Sequence, residues 1–266
     1  MARHRRARAG VRARRGPDTS TGGDGGPALP SAKRLREALE LSIDLGGHRW
    51  EAKVLRLEHG RENAEVKLDI VRDGESVGYA SRAFFLDGYG GMALFHDSLE
   101  IEDEEHQGEG FGGRYARHTI AQARELGATH VILAAAHPGG GYAWARAGFL
   151  IDPPDVTGGR RPTPDAVDAH QRTGLLDLFD RARGLLGEQP DWPAGLADEL
   201  DEIRAAIDDG QIATPFELAA WGRGGAGHDW AYDYEGEWEP VTRTEPMHAA
   251  KILLRASDWN GILLLR

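Results

Sequence analysis

Four glycines within six residues, Gly108, Gly110, Gly112 and Gly113, stand between a strand pattern and a helix pattern. No other segment restricts the fold as tightly. Glycine lets the backbone approach a ligand closely, and the helix that follows aims free N–H groups at the same point. A phosphate-bearing ligand is the natural inference. The flanks fix the order of elements around this loop. Val66, Leu68 and Ile70 alternate with polar residues, Asp73-Gly74 makes a turn, and Val77 and Tyr79 resume the alternation. That predicts a β-hairpin over Glu65–Tyr79. Met92 to Ile101 reads as a further strand, and its alternation breaks near His96–Ser98, the mark of a bulge. Residues 111–126 predict a helix with Phe111, Tyr115, Thr119, Ile120 and Ala123 in one stripe and Gly127 as its C-terminal cap. Val131–Ala136 follows as a short apolar strand, long enough to be buried on both faces. Tyr142–Ala147 reads as a short helix, and Phe149-Leu150-Ile151 as a strand.

Two letter patterns fit the loop. Gly108, Gly110 and Gly113 satisfy G-x-G-x-x-G, the dinucleotide fingerprint. That fingerprint requires the glycines tight against the end of an apolar strand and an acid closing the next strand. Here the acidic run from Glu102 intervenes, and the next strand closes Ala134-Ala135-Ala136-His137. No Lys-Ser/Thr pair follows the glycines, which disfavours a nucleotide triphosphatase. The second pattern is Q-x-x-G-x-G, formed by Gln107, Gly110 and Gly112.

With this second pattern, residues 48–152 resemble the GNAT superfamily of N-acetyltransferases. The likeness includes the order hairpin, strand, loop, helix, strand. It also includes the run Tyr142-Ala143-Trp144-Ala145-Arg146-Ala147-Gly148-Phe149, similar to the family's late helix–strand junction. The resemblance implies an α/β (α+β) fold: a mixed, mostly antiparallel twisted sheet flanked by helices, here with an extra, mainly helical C-terminal region. It implies an acyl-CoA co-substrate, acetyl-CoA or a related thioester, and no metal. The pyrophosphate of coenzyme A would lie on the loop Gln107, Gly108, Glu109, Gly110, Phe111, Gly112 and Gly113, with Arg114 adding a charge-assisted contact. The pantetheine arm would follow Leu99, Glu100 and Ile101, where this strand and the next splay apart.

The implied chemistry is attack of an amine on a thioester, which requires a base. His96 and Glu100 are the candidates, four residues apart and of the same strand parity if no bulge intervenes. The family's acid is a Tyr four residues before the Gly of Gly-Phe. That position is Trp144 here, and Tyr142, the nearest phenol, lies roughly 200° around the helix from it. His137 stands where the family often has Asn. The expected activity is N-acyl transfer to an amine of a small molecule, peptide or protein. The alternative is a catalytically degenerate CoA-binding module within a larger phage, toxin or assembly system.

Composition bears on the rest of the chain. Of its 266 residues none is Cys, so a thiol nucleophile and a Cys-based zinc site are excluded, and a reducing, cytoplasmic setting fits. No apolar run approaches the roughly 18 residues of a membrane span. Seven of the 32 basic residues fall within residues 1–16, and all 43 acidic residues lie beyond them. Such a basic tail on an acidic body suits nucleic-acid contact, or no contact at all if it is only a solvated arm. The expected organisation is a basic, Gly-rich tail over 1–31, a GNAT-like domain over 32–153 and a helical subdomain over 158–266. Helices are predicted over 165–186, 194–208 and from Thr214-Pro215, then a final strand Ile262–Leu265, with Trp259 in the turn before it. Trp230, Tyr232, Tyr234 and Trp238, interleaved with acids, form an aromatic cluster suited to packing or to a sugar or cationic ligand.

Overall fold

The computed structural model describes residues 28–86, 91–102, 104–106, 109–135, 140–153, 163–187, 195–221, 230–232, 238–240, 248–256 and 258–265. The basic tail, Gln107, Gly108, His137 and Tyr234 lie outside the described residues. None of the helices among the described residues is long and apolar enough to cross a membrane.

The chain opens with α1 (Ala32–Leu39), whose N-cap Ser31 accepts a hydrogen bond from the backbone N–H of Arg34. Strands β1 (Leu41–Leu45), β2 (His48–His59), β3 (Asn63–Arg72), β4 (Glu75–Leu86) and β5 (Met92–Ile101) then form an antiparallel meander. The predicted hairpin turn is present: Asp73 and Gly74 both take positive φ, 51° and 93°. That pair of conformations matches a right-twisted two-residue turn, which favours Asp-Gly. The Asp73 carboxylate accepts from the backbone N–H of Arg49 at 2.8 Å and contacts His48 Nδ1 at 2.6 Å. The hairpin tip is thereby tied to the start of β2.

After the glycine loop comes α2 (Phe111–Glu125). Its stripe of Phe111, Tyr115, Thr119 and Ala123 is buried, as the i, i+4 spacing predicts. Phe111 stacks on Trp50 of β2, with ring centroids 4.8 Å apart. Full burial of each such ring stabilises the fold by about 2 to 3 kcal/mol. Next, β6 (His130–Ala135) returns parallel to β5, as a strand–helix–strand crossover must. Then come α3 (Gly140–Arg146), β7 (Leu150–Ile151), α4 (Pro164–Gly187), α5 (Leu196–Asp208) and α6 (Pro215–Ala220). Thr214 caps α6 by accepting from Glu217 N–H, with Pro215 in the first turn, as its sequence predicts. The aromatic cluster contributes a two-stranded ribbon, β8 (Trp230–Tyr232) paired with β9 (Trp238–Pro240). The described chain ends with α7 (Ala249–Ala256) and β10 (Trp259–Leu264).

The last strand corrects the expected organisation. It does not belong to a separate C-terminal unit. The sheet order is β1-β2-β3-β4-β5-β6-β10-β7, so β10 lies between two strands of the 32–153 segment. Ile262 pairs with Ile132 of β6 on one side and Leu150 of β7 on the other. Trp259, expected in a turn, begins this strand and is buried. A boundary near residue 158 therefore cuts through one sheet.

Two observations lead to stability predictions. A Cβ on Gly141 would meet the carbonyl oxygen of Leu254 at 2.1 Å, so the glycine sets how closely α3 approaches α7. Gly141→Ala must push these helices apart and should cost about 3 kcal/mol, read as a lower urea midpoint. Asp152, just after β7, donates its backbone N–H to Asn260 O, while its carboxyl Oδ1 is buried with no hydrogen-bond partner. Burial pushes its pKa up to about 6. A carboxyl raised in the folded state is bound to its proton more tightly there than in the unfolded chain. Stability from this group is thus full below about pH 4 and falls as pH rises to about 6. Asp152→Asn should flatten that fall and stabilise the protein at pH 7 by up to about 3 kcal/mol, measured by thermal melts across pH.

Candidate functional site

The β5–β6 ladder is short. It runs from Ala93↔His130 to His96↔Leu133 and stops there. Past that point β5 continues to Ile101 in pairing with β4, while Ala134 and Ala135 stay paired with β10. The two strands thus part into a V whose vertex is His96–Leu133. A bulge drives the parting. Arg82 pairs with His96 and Ser81 with Ser98, so Asp97 is an extra residue in β5. Bulges bend the strand that carries them and increase its twist.

The bulge also overturns the expected shared parity of His96 and Glu100. His96 is the partner of Arg82, on the face covered by α2, and is only 3% exposed. Its Nε2 lies 3.3 Å from Thr119 Oγ1 of α2. Burial, and secondarily the charge of Arg82, hold its pKa well below the ordinary histidine value. The imidazole is therefore neutral. Leu99 and Ile101 pair with Ala80 and Gly78, again on the α2 face. Gly112, in the first turn of α2, lies close above Leu99: a Cβ there would lie 3.5 Å from Leu99 Cδ2.

Glu100 takes the opposite face. Its neighbour across β4 is Tyr79, whose hydroxyl donates a short hydrogen bond to Glu100 Oε2. Tyr79 pairs in turn with Asp69 of β3, which accepts from Ser76 Oγ at 2.6 Å. Asp69, Tyr79 and Glu100 form a row across three strands on the face away from α2. Tyr79 is a residue the sequence reading missed as a site candidate. Its alternation signalled only a strand, and its link to Glu100 depends on register between segments 21 residues apart.

Gly110 is the N-cap of α2 and brings no side-chain hydrogen bond to it. The intrahelical ladder begins only with Arg114 N–H donating to Gly110 O at 3.3 Å. Among the described residues, no acceptor meets the N–H groups of the first turn. Arg114 and Gly113 are exposed there. Glu109 instead makes an ion pair with Arg72 at 3.1 Å, with His106 Nδ1 at 3.9 Å. Phe111, counted among the loop's binding residues, turns its ring into the core against Trp50 and offers the site only its backbone.

On α3 the structure brings Trp144, not Tyr142, against His96, with ring centroids 5.4 Å apart. Trp144 also packs edge-on to Phe149. Tyr142 faces the C-terminal side: its ring meets His248 at 5.8 Å and the Lys251 ammonium of α7 at 5.5 Å.

A bulged strand, a glycine turn into an uncapped helix, and a parallel strand that splays away at the bulge meet at one place. Together they belong to a mostly antiparallel sheet flanked by helices, the α/β class expected from the sequence. No family model matches the sequence, and no curated protein matches it. Among solved structures, the chain is similar to Arabidopsis thaliana Naa50 in complex with the bisubstrate analogue CoA-Ac-MVNAL. The identity is 15% and the TM-score 0.30, over 33% of this chain and 58% of that one. It is also similar to the GNAT domain of S. lividans PAT, at 15% identity and TM-score 0.33, over 44% of this chain and 90% of that domain. The chain therefore spans little more than half the length of the first of these.

Proposed function

We propose that this protein is an N-acyltransferase that moves an acyl group from acyl-CoA to an amine. The observation that carries the reading is the V beside an uncapped helix start: the β5–β6 ladder ends at His96–Leu133, and among the described residues no acceptor meets the first-turn N–H groups of α2. An extended, phosphate-ended ligand fits both. The N–H groups of Phe111, Gly112 and Gly113 would hold the pyrophosphate, with Arg114 adding charge. The strand edge over Leu99, Glu100 and Ile101 would hold the pantetheine amides, so that the thioester faces the bulge.

Acyl-CoA supplies a thioester carbon open to attack. Glu100 receives the proton of the incoming amine on the face it shares with Tyr79 and Asp69. The amine nitrogen forms its bond to the acyl carbon, the carbon–sulfur bond breaks, and the thiolate of coenzyme A leaves. The proton passes from Glu100 to water. Tyr79 orients the carboxylate through its hydroxyl, and Asp69 adds negative charge that draws in a cationic amine. His96, neutral and enclosed, is proposed to support the bulge rather than to act as base. Calorimetry with acetyl-CoA tests the binding half. Saturable heat is expected, and no binding at millimolar ligand would remove the reading.

A second reading is a CoA-binding module without turnover, and one observation favours it. The residue at the family's acid position is Trp144, packed on His96, and Tyr142 is turned toward α7. Thiol release in the presence of an amine panel separates the two. Release requires the enzyme, whereas binding without release supports the module.

A further inference from the structure

Beside the vertex of the V stands a buried charge that no carboxylate among the described residues pairs with. Arg82 stands on β4 directly across from His96, the last residue of the β5–β6 ladder, and is only 1% exposed. Its Nη1 donates to the backbone carbonyls of Ser81 and Ser98, which ties the two strands at the bulge. Its plane lies over the Tyr115 ring, 5.3 Å from guanidinium carbon to centroid. The other edge of the guanidinium, Nε and Nη2, is buried and has no hydrogen-bond partner. Beside it, His96 Nδ1 is also buried and without a partner.

That free edge has a definite shape. Nε–H and Nη2–H point the same way and form the fork that takes both oxygens of one carboxylate. An arginine does not shed its charge in a protein, and an unpaired buried charge costs several kcal/mol. Among the described residues no carboxylate forms an ion pair with Arg82. Asp97 influences it from the bulge but is itself exposed. A structural clamp for two carbonyls uses Nη1 alone and leaves the fork unexplained.

The backbone of Arg82 lies one strand away from the vertex, roughly 5 Å. The acyl end of a thioester bound in the V points to that vertex. We infer that the acyl donor carries a terminal carboxylate, as in a short dicarboxylic acyl-CoA, and that Arg82 is the group that selects it. The inference rests on the acyl-CoA reading above and names its acyl class. An acetyl group would leave the fork empty. An acyl chain of about three carbons ending in carboxylate spans one strand spacing from the sulfur and pairs the buried charge.

Two stable thioethers of coenzyme A differ at this end alone: S-(2-carboxyethyl)-CoA and S-propyl-CoA. Titration calorimetry of the full chain should find the carboxyethyl form at least tenfold tighter. Arg82→Met should bring the ratio to one or below, and Arg82→Lys, a charge without a fork, should leave an intermediate ratio. If S-propyl-CoA binds the native chain equally well or better, the carboxylate class is wrong while acyl-CoA binding stands. If neither thioether binds, the acyl-CoA reading itself has failed, and this one falls with it. If Arg82→Met does not fold, the two native titrations still decide. A ratio that stays above tenfold in folded Arg82→Met would remove Arg82 as the selecting group.

Discussion

Glu100→Gln should lower turnover with an amine acceptor by about 10²- to 10³-fold, within the range typical of a positioned base. The amide keeps the shape of the side chain and can still meet the Tyr79 hydroxyl, but it cannot take the proton of the amine. The backbone of residue 100, proposed to hold the pantetheine arm, is untouched, so the loss should fall on kcat and not on acyl-CoA affinity. Tyr79→Phe removes the hydrogen bond that orients the carboxylate. A loss of about tenfold is expected, since one such bond to a charged group contributes about 1.5 kcal/mol. Steady-state kinetics with calorimetry checks both. Unchanged turnover in Glu100→Gln would reject Glu100 as the base. A fall in affinity equal to the fall in turnover would make it a binding residue.

The order of elements around the site was legible because local chemistry writes it. Asp73-Gly74 demands its turn, the Phe111–Tyr115–Thr119 stripe demands a helix, and a glycine at its start, Gly110, takes the left-handed conformation at the N-cap. The bulge was legible as a break in alternation, but its consequence was not. One extra residue at Asp97 rotates everything after it to the other face, which separates His96 from Glu100 and joins Glu100 to Tyr79. Parity counted along one strand cannot show this, since it depends on which residue of β4 stands opposite. Arg82 was invisible for a related reason. In sequence it follows a strand pattern like any surface arginine, and only the placement of α2 above β4 buries it. Trp144 could be located by its distance from Gly148-Phe149, yet the contact that gives it meaning, with His96, joins segments 48 residues apart.

The position of β10 was the least legible feature, and it leads to the largest expected effect on stability. Its apolar run, Ile262 to Leu265, looks like any terminal strand. Nothing local says that it enters the middle of the sheet. Ile262 is fully buried between β6 and β7. Ile262→Asp would place a carboxylate there, and among the described residues none of the cationic side chains pairs with that position. The cost should be about 4 to 5 kcal/mol, a large part of the 5 to 15 kcal/mol that holds a typical domain. A fall in Tm of about 10 °C or more is expected for a chain of this size. The V depends on the same strand, because β10 keeps Ala134 and Ala135 in the sheet after β5 has turned away. Acyl-CoA binding should therefore fail together with folding, not after it. A fragment of residues 1–153 offers the sharper version of the test. It contains the loop, the bulge and α2, but leaves one edge of β6 bare and β7 without a neighbour. If it melts cooperatively and binds acetyl-CoA like the full chain, the 32–153 segment is self-sufficient and β10 is an accessory. Loss of both is the expected result, since a sheet with its interior strand removed has no continuous core to fold around.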